Sequence, residues 1–139
     1  MYKKFIFLSV FSLFFLVTGC QDVLECIINR KPVLSDTPID RARQNQYFFA
    51  KITAEIKNEP RDNDYFYDYS IFGDLPEGLD VIFDYRDVII EGRPRVKGRY
   101  RFTIDLYVEQ FDNYCENELN DCDGLCEERT SRTYVLTVN

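Results

Sequence analysis

The sequence contains no histidine. That excludes Ser-His-Asp and Cys-His nucleophilic catalysis, and every metal centre that depends on imidazole. Serine is scarce: beyond residue 19 only Ser35, Ser70 and Ser131 occur. There is no Gly-x-Gly-x-x-Gly fingerprint, no phosphate-binding P-loop and no basic-aromatic stripe, so nucleotide and nucleic-acid binding have no motif to rest on. A carboxylate pair for glycoside hydrolysis is formally open, but a chain this short leaves little room for a substrate cleft. Long apolar runs are missing apart from "FIFLSVFSLFFLV" at 5–17, and that is shorter than the ~20 residues a spanning helix needs.

That run has another use. It follows the short basic start "MYKK" and precedes "LVTGC", residues 16–20. The layout is that of an export signal, and "LVTGC" resembles the lipobox of bacterial lipoproteins, with Val17 where leucine is commoner. The resemblance implies cleavage after Gly19, a diacylglyceryl group on the Cys20 thiol and an acyl chain such as palmitate on its amine. An ordinary secretory signal is the alternative. Two or three acyl chains on one residue anchor stably, since each buried CH₂ contributes about 0.8 kcal/mol. Gln21 resembles the outer-membrane sorting signal of enteric bacteria, although Asp22 leaves the choice of membrane open. The expectation is therefore a signal peptide at 1–19, a lipidated cysteine and tether at 20–32, and one domain at 33–139. Loss of 1–19 leaves 120 residues with 15 basic and 24 acidic side chains, a formal charge of −9. Such a chain should not bind nucleic acid or anionic lipid head groups through net charge.

From residue 31 onwards the sequence reads as short strands and turns. "KPVLSDTPID" carries two prolines and reads as a kinked edge strand near 33–39. In "QYFFAKITAEIK" Phe48, Ala50, Ile52, Ala54 and Ile56 alternate with mostly polar neighbours, the period of a strand with one buried face. "YFYDYSIF" follows, dense in aromatics, and "DVIFD" and "DVIIEG" flank Tyr85-Arg86 as a hairpin. "RYRFTIDLYVEQF" is the clearest strand, with Tyr100, Phe102, Ile104, Leu106 and Val108 on one face, and "RTYVLTV" closes the chain. Seven short strands with no convincing helix predict an all-β, seven-stranded immunoglobulin-type β-sandwich. Most tyrosines fit such sheets as packing residues; a sugar- or peptide-binding patch of Tyr65, Tyr67 and Tyr69 is the sharper alternative.

One pattern in the middle of the chain is more specific. "YSIFGDLPEGLDV" is followed by "IIEGRP", then "KGRYRFTIDLYV" and "SRTYVLTV". This resembles the Ig-like domain of bacterial surface proteins, a relative of the cadherin-like sandwiches. Tyr69, Ser70, Gly73, Leu75, Pro76, Gly78 and Leu79 fall on its first motif, Ile90, Gly92 and Pro94 on its second, and Gly98, Tyr100, Phe102 and Thr103 on its third. The match runs over about 33–138 and is sharp over 69–108. Arg86 and Asp87 stand where the family usually has Thr-Gly. The resemblance implies a spacer, adhesion or recognition module with no catalytic residues. Calcium binding is known among cadherin-like relatives.

Besides Cys20 the chain has Cys26, Cys115, Cys122 and Cys126. In an exported protein four cysteines favour two disulfides over a Cys₄ zinc site. In a sandwich of this type the first strand starts at the end that carries the FG loop, here the acidic segment 111–129. The expected pairing is one bond within that loop and one from Cys26 to it. The loop also holds Asp121 and Asp123, and a nearby turn holds Asp62 and Asp64. They form a fragment of a calcium pattern without the full EF-hand spacing, and the alternative is a solvated acidic surface. "GDLPEGL" and "RPRVKG" read as structural corners at the opposite end. The functional expectation is a non-enzymatic, lipid-anchored module of the bacterial envelope, with no cofactor unless calcium. Its partner would be an envelope protein or a surface polymer. The alternatives are an accessory subunit of an envelope assembly and, more weakly, a small enzyme or inhibitor.

Overall fold

The computed structural model describes residues 26–111 and 125–139. Seven strands run through them: β1 Lys31–Leu34, β2 Phe48–Lys57, β3 Tyr65–Gly73, β4 Leu79–Asp84, β5 Asp87–Gly92, β6 Gly98–Gln110 and β7 Arg129–Val138. They form two antiparallel sheets, of order β1-β2-β5-β4 and β3-β6-β7. That is the strand order of an Ig-like sandwich of the seven-stranded kind. The alternation seen in the sequence is what builds it. Ile52, Ala54 and Ile56 of β2 and Val88 and Ile90 of β5 face Phe102, Ile104, Leu106 and Val108 of β6 and Leu136 of β7 across the core, all of them buried. Each large side chain removed from water in this way contributes ~1.5–3 kcal/mol.

The first strand departs from expectation. β1 occupies 31–34 rather than 33–39, with Pro32 opposite Ile56. The chain then leaves this sheet and crosses to the edge of the other, where Ala42 bridges Val138 in parallel. The Tyr134 hydroxyl pins the crossing by donating to the Ser35 carbonyl at 2.6 Å. Burial pushes the Tyr134 pKa up to about 12, against the lowering charge of Arg132 and with a smaller upward push from Asp36. The two prolines thus mark the edge strand and the crossing, and not one kinked strand.

Strand directions separate two poles. At one, the end of β2, the start of β3, the tip of the β4–β5 hairpin and the end of β6 meet, since Lys31 pairs with Lys57 and Tyr65 with Gln110. At the other lie the 74–78 and 93–97 turns and the C-terminus, since Leu79 pairs with Gly92 and Gly98 with Val138.

Candidate functional site

The pole where the chain enters the sandwich is braced by several independent contacts. Cys26 and Cys126 are disulfide-bonded, with Cα atoms 4.7 Å apart and a sequence separation of 100. The Cys126 N–H donates to the Arg30 carbonyl at 2.8 Å, and the Asn58 side-chain amide to the Ile28 carbonyl at 2.6 Å. Glu59 is buried; its Oε2 lies 3.4 Å from Arg30 Nη1, and its Oε1 accepts the Arg61 N–H at 2.8 Å. The expected bond from Cys26 to the FG loop is therefore present, and its loop partner is Cys126. Cys20, Cys115 and Cys122 lie outside the described residues.

The tip of the β4–β5 hairpin locks onto the same pole. Tyr85 takes a left-handed backbone conformation, φ 51°, and its hydroxyl donates to the Asn63 carbonyl at 2.7 Å. Arg86 pairs with both carboxylate oxygens of Asp62, at 3.0 and 2.7 Å, and its Nε donates to the Ala54 carbonyl. This two-pronged geometry is the strong form of such a pair. Asp62, read from the sequence as a calcium candidate, thus serves as the anchor of Arg86. Asp64 sits at the end of the same turn, Asp62–Asp64, while Asp121 and Asp123 lie outside the described residues. Among the described residues no three acidic or cysteine side chains converge on a metal-sized point. Beside this latch burial pushes Asp87 upward, but hydrogen bonds from Thr53 and Lys51 outweigh it and hold the carboxyl below its usual range.

The turn motif makes the other pole. The Arg93 N–H donates to the Gly78 carbonyl and the Arg95 N–H to the Glu77 carbonyl, both at 2.8 Å. The two turns therefore pair through their backbones. Gly78 and Gly92 stand at φ 93° and 136°, and a Cβ on Gly78 would run into the Arg93 carbonyl, one on Gly92 into that of Gly78. Pro76 and Pro94 are fully buried, and Leu75 and Leu79 pack on the core edge. Gly73 ends β3 just before the first turn, and Gly98 starts β6. Gly92→Ala should destabilise the fold by about 1–3 kcal/mol or more, from backbone strain plus the clash; the midpoint of a urea unfolding curve measures it.

The third surface is the outer face of the three-stranded sheet. Here the reading of the tyrosines as packing residues holds, and the alternative of a binding patch does not. Tyr65 and Tyr69 are buried in the core, and Tyr67 is half-buried with its hydroxyl donated to the Asp62 carbonyl at 2.9 Å. Burial pushes the hydroxyl pKa of Tyr67 and Tyr69 upward, aided by the charge of Asp62 on the first and of Asp87 on the second. They do not form a surface patch. The even-numbered side chains of β3 face outward instead: Phe66, Asp68, Ser70 and Phe72. Asp68 lies beside Tyr107 and Ser70 beside Asp105, while Arg129 of β7 covers the Tyr107 ring at 4.9 Å. Asp68, Ser70, Phe72, Asp105, Tyr107 and Arg129 are among the residues that line an open depression of about 510 Å³. Phe66 and Phe72 went unnoticed in the sequence. Their shared parity with Asp68 and Ser70 was the available signal, because the polar members of a strand mark its wet face.

No family model matches the sequence, and no curated protein matches it. Several solved structures resemble it. A candidate α-galactosidase from Bacteroides fragilis is 20% identical with a TM-score of 0.46, over 81% of this chain and 18% of that one. The chain thus spans less than a fifth of that protein. A titin Z1Z2 chimera is 13% identical with a TM-score of 0.45, over 78% of this chain and 93% of that one. Domains 4 and 5 of the S-layer protein SbsC are 13% identical with a TM-score of 0.42, over 77% of this chain and 53% of that one. These are distant likenesses, and the strand order described above is what carries the fold assignment.

Proposed function

We propose that this protein is a non-catalytic binding module of the bacterial cell envelope, anchored by lipid on Cys20 and held with its disulfide-bonded pole against the membrane. The Cys26–Cys126 bond carries the reading. Cys26 lies six positions after Cys20, a span of at most ~20 Å. A lipid on Cys20 therefore keeps the braced pole close to the bilayer. The opposite pole and the outer sheet faces are left to meet a partner, an envelope protein or a surface polymer. The absence of histidine and the open shape of the depression on the β3-β6-β7 face support binding over turnover. The lipobox-like "LVTGC" supports the anchor, and Gln21 favours the outer membrane. The resemblance to surface-protein Ig-like domains supports an adhesive or structural role.

The anchor is tested by Cys20→Ala. The variant should leave the membrane fraction and lose incorporation of labelled palmitate, each to the level of an unlipidated control. Retention of label, or of membrane association resistant to carbonate washing, overturns the lipid assignment.

A further inference from the structure

Most edges of the two sheets are guarded. β1 has four residues and contains Pro32. β4 is six residues long and carries Asp80 and Asp84. β7 is partly covered, for the Ala42 N–H donates to Thr137 and the Asn139 N–H to Ala42. β3 is different. It has nine residues with no proline, no lysine and a single carboxylate, Asp68, against two in the six residues of β4, and its register with β6 runs unbroken from Tyr65–Gln110 to Gly73–Phe102, without a bulge. No strand among the described residues pairs with its other side. Long, regular edges with few charges are usually blunted by charge, proline or a bulge, because they otherwise recruit another strand.

The side chains on this edge are symmetric about Tyr69. Phe66 and Phe72 lie three residues to either side, 59% and 58% exposed. Asp68 and Ser70 lie one residue to either side. In an antiparallel pair of two such strands related by a two-fold axis at Tyr69, all nine residues find partners. Phe66 then stands opposite Phe72 of the other copy, Asp68 opposite Ser70, Tyr67 opposite Ile71, and Tyr65 opposite Gly73. Rings face rings, and each carboxylate faces a hydroxyl. Moving the axis to Asp68 sets two carboxylates against each other and phenyl against serine. Moving it to Ser70 sets Asp68 against Phe72 and leaves Tyr65 unpaired. An odd slip turns the faces over. An isologous contact needs a surface complementary to itself, and this register supplies one.

We propose that β3 pairs with β3 of a second copy, antiparallel about Tyr69, so that two three-stranded sheets become one of six strands. Phe83 stacks on Tyr69 at 5.6 Å, and Tyr85 meets Tyr67 edge-on at 5.5 Å. These half-exposed rings flank the same edge and lie along the contact. Because the strands run in opposite directions, the braced poles of the two copies point apart. On the lipid-anchor reading the contact then joins molecules held in facing membranes; the pairing itself rests on the strand alone.

The register is tested with the full chain by oxidative cross-linking. Directly opposed side chains have Cβ atoms ~4.5–5.5 Å apart, so a mixture of Phe66→Cys and Phe72→Cys should form a cross-linked dimer. Neither variant alone should, since residue 66 of one copy lies six residues from residue 66 of the other. Ser70→Asp opposes two carboxylates at both symmetric contacts and should weaken self-association about 5- to 30-fold. Asp68→Lys combined with Ser70→Asp should restore it, an outcome that a mere loss of folding cannot produce. Equal cross-linking of each single variant with itself, or failure of the combined variant to recover, overturns the proposal. So does a monomer throughout in sedimentation equilibrium, the result expected if this edge serves a foreign strand.

Discussion

Cys126→Ser should lower the thermal midpoint by about 15–25 °C. The bond spans 100 residues of sequence. In the chain-entropy model a closed loop of that size restricts the unfolded ensemble by about 4–5 kcal/mol. Each kcal/mol moves the midpoint of a domain near this size by roughly 4–8 °C at the smaller end of the range and less as the chain lengthens. The native geometry offers no compensation, because β1 is a four-residue edge strand and cannot hold the entry segment alone. Calorimetry on Cys126→Ser and on Cys26→Ser should agree, since both lose the same cross-link. A shift of only a few degrees would mean that the entry segment contributes little to the closed loop in the unfolded state, and that the bond acts locally. Total stability of such domains is ~5–15 kcal/mol, so the expected loss is a large part of it.

Much of this fold could be read from the chain before any coordinates. The alternation over Phe48–Ile56 and Tyr100–Val108 identified the strands whose inner faces form the core, because period two has one physical cause. The two glycine-proline turns were legible for a local reason, because few residue types tolerate those backbone angles, while the Tyr85-Arg86 hairpin was legible only from the apolar runs that flank it, its tip lacking the Asn-Gly signal of a tight turn. The link from Cys26 to the FG loop followed from where a first strand must begin. What stayed hidden was non-local or ambiguous. "YFYDYSIF" has aromatics at both parities, so periodicity alone could not say whether the tyrosines or the phenylalanines were outside. The Asp62–Arg86 pair joins residues 24 positions apart, and nothing in either segment announces the other. The crossing from Leu34 to Ala42 was hidden too, because proline excludes a central strand without saying which edge the chain takes next.

Glu59→Ala should cost about 3–5 kcal/mol, the range for removing one partner of a buried ion pair. The carboxylate is 2% exposed and its Arg30 partner 15%, at 3.4 Å. Neither local sequence marks the pair: "INRK" and "KNEP" read as ordinary polar segments. Removing the carboxylate takes an opposing charge from a guanidinium that is largely shut off from water, and also takes from the Arg61 N–H the Oε1 acceptor it now has at 2.8 Å. Glu59→Gln keeps an acceptor for Arg61 but not the charge, so it should lie between wild type and alanine. Replacing both partners with apolar residues of similar volume, Arg30→Met with Glu59→Leu, should be milder than either single truncation, since no charge is then left buried. The pair also sits on the junction that the disulfide closes, because the Arg30 carbonyl accepts the Cys126 N–H at 2.8 Å. Once either brace is removed the entry segment can fray, and the other has less native structure to hold. The losses of Glu59→Ala and Cys126→Ser should therefore be sub-additive in a double-mutant cycle, by about 0.5–3 kcal/mol. Strict additivity in urea unfolding would show that the ion pair and the disulfide stabilise separate units, and that the pole is not one cooperative clamp.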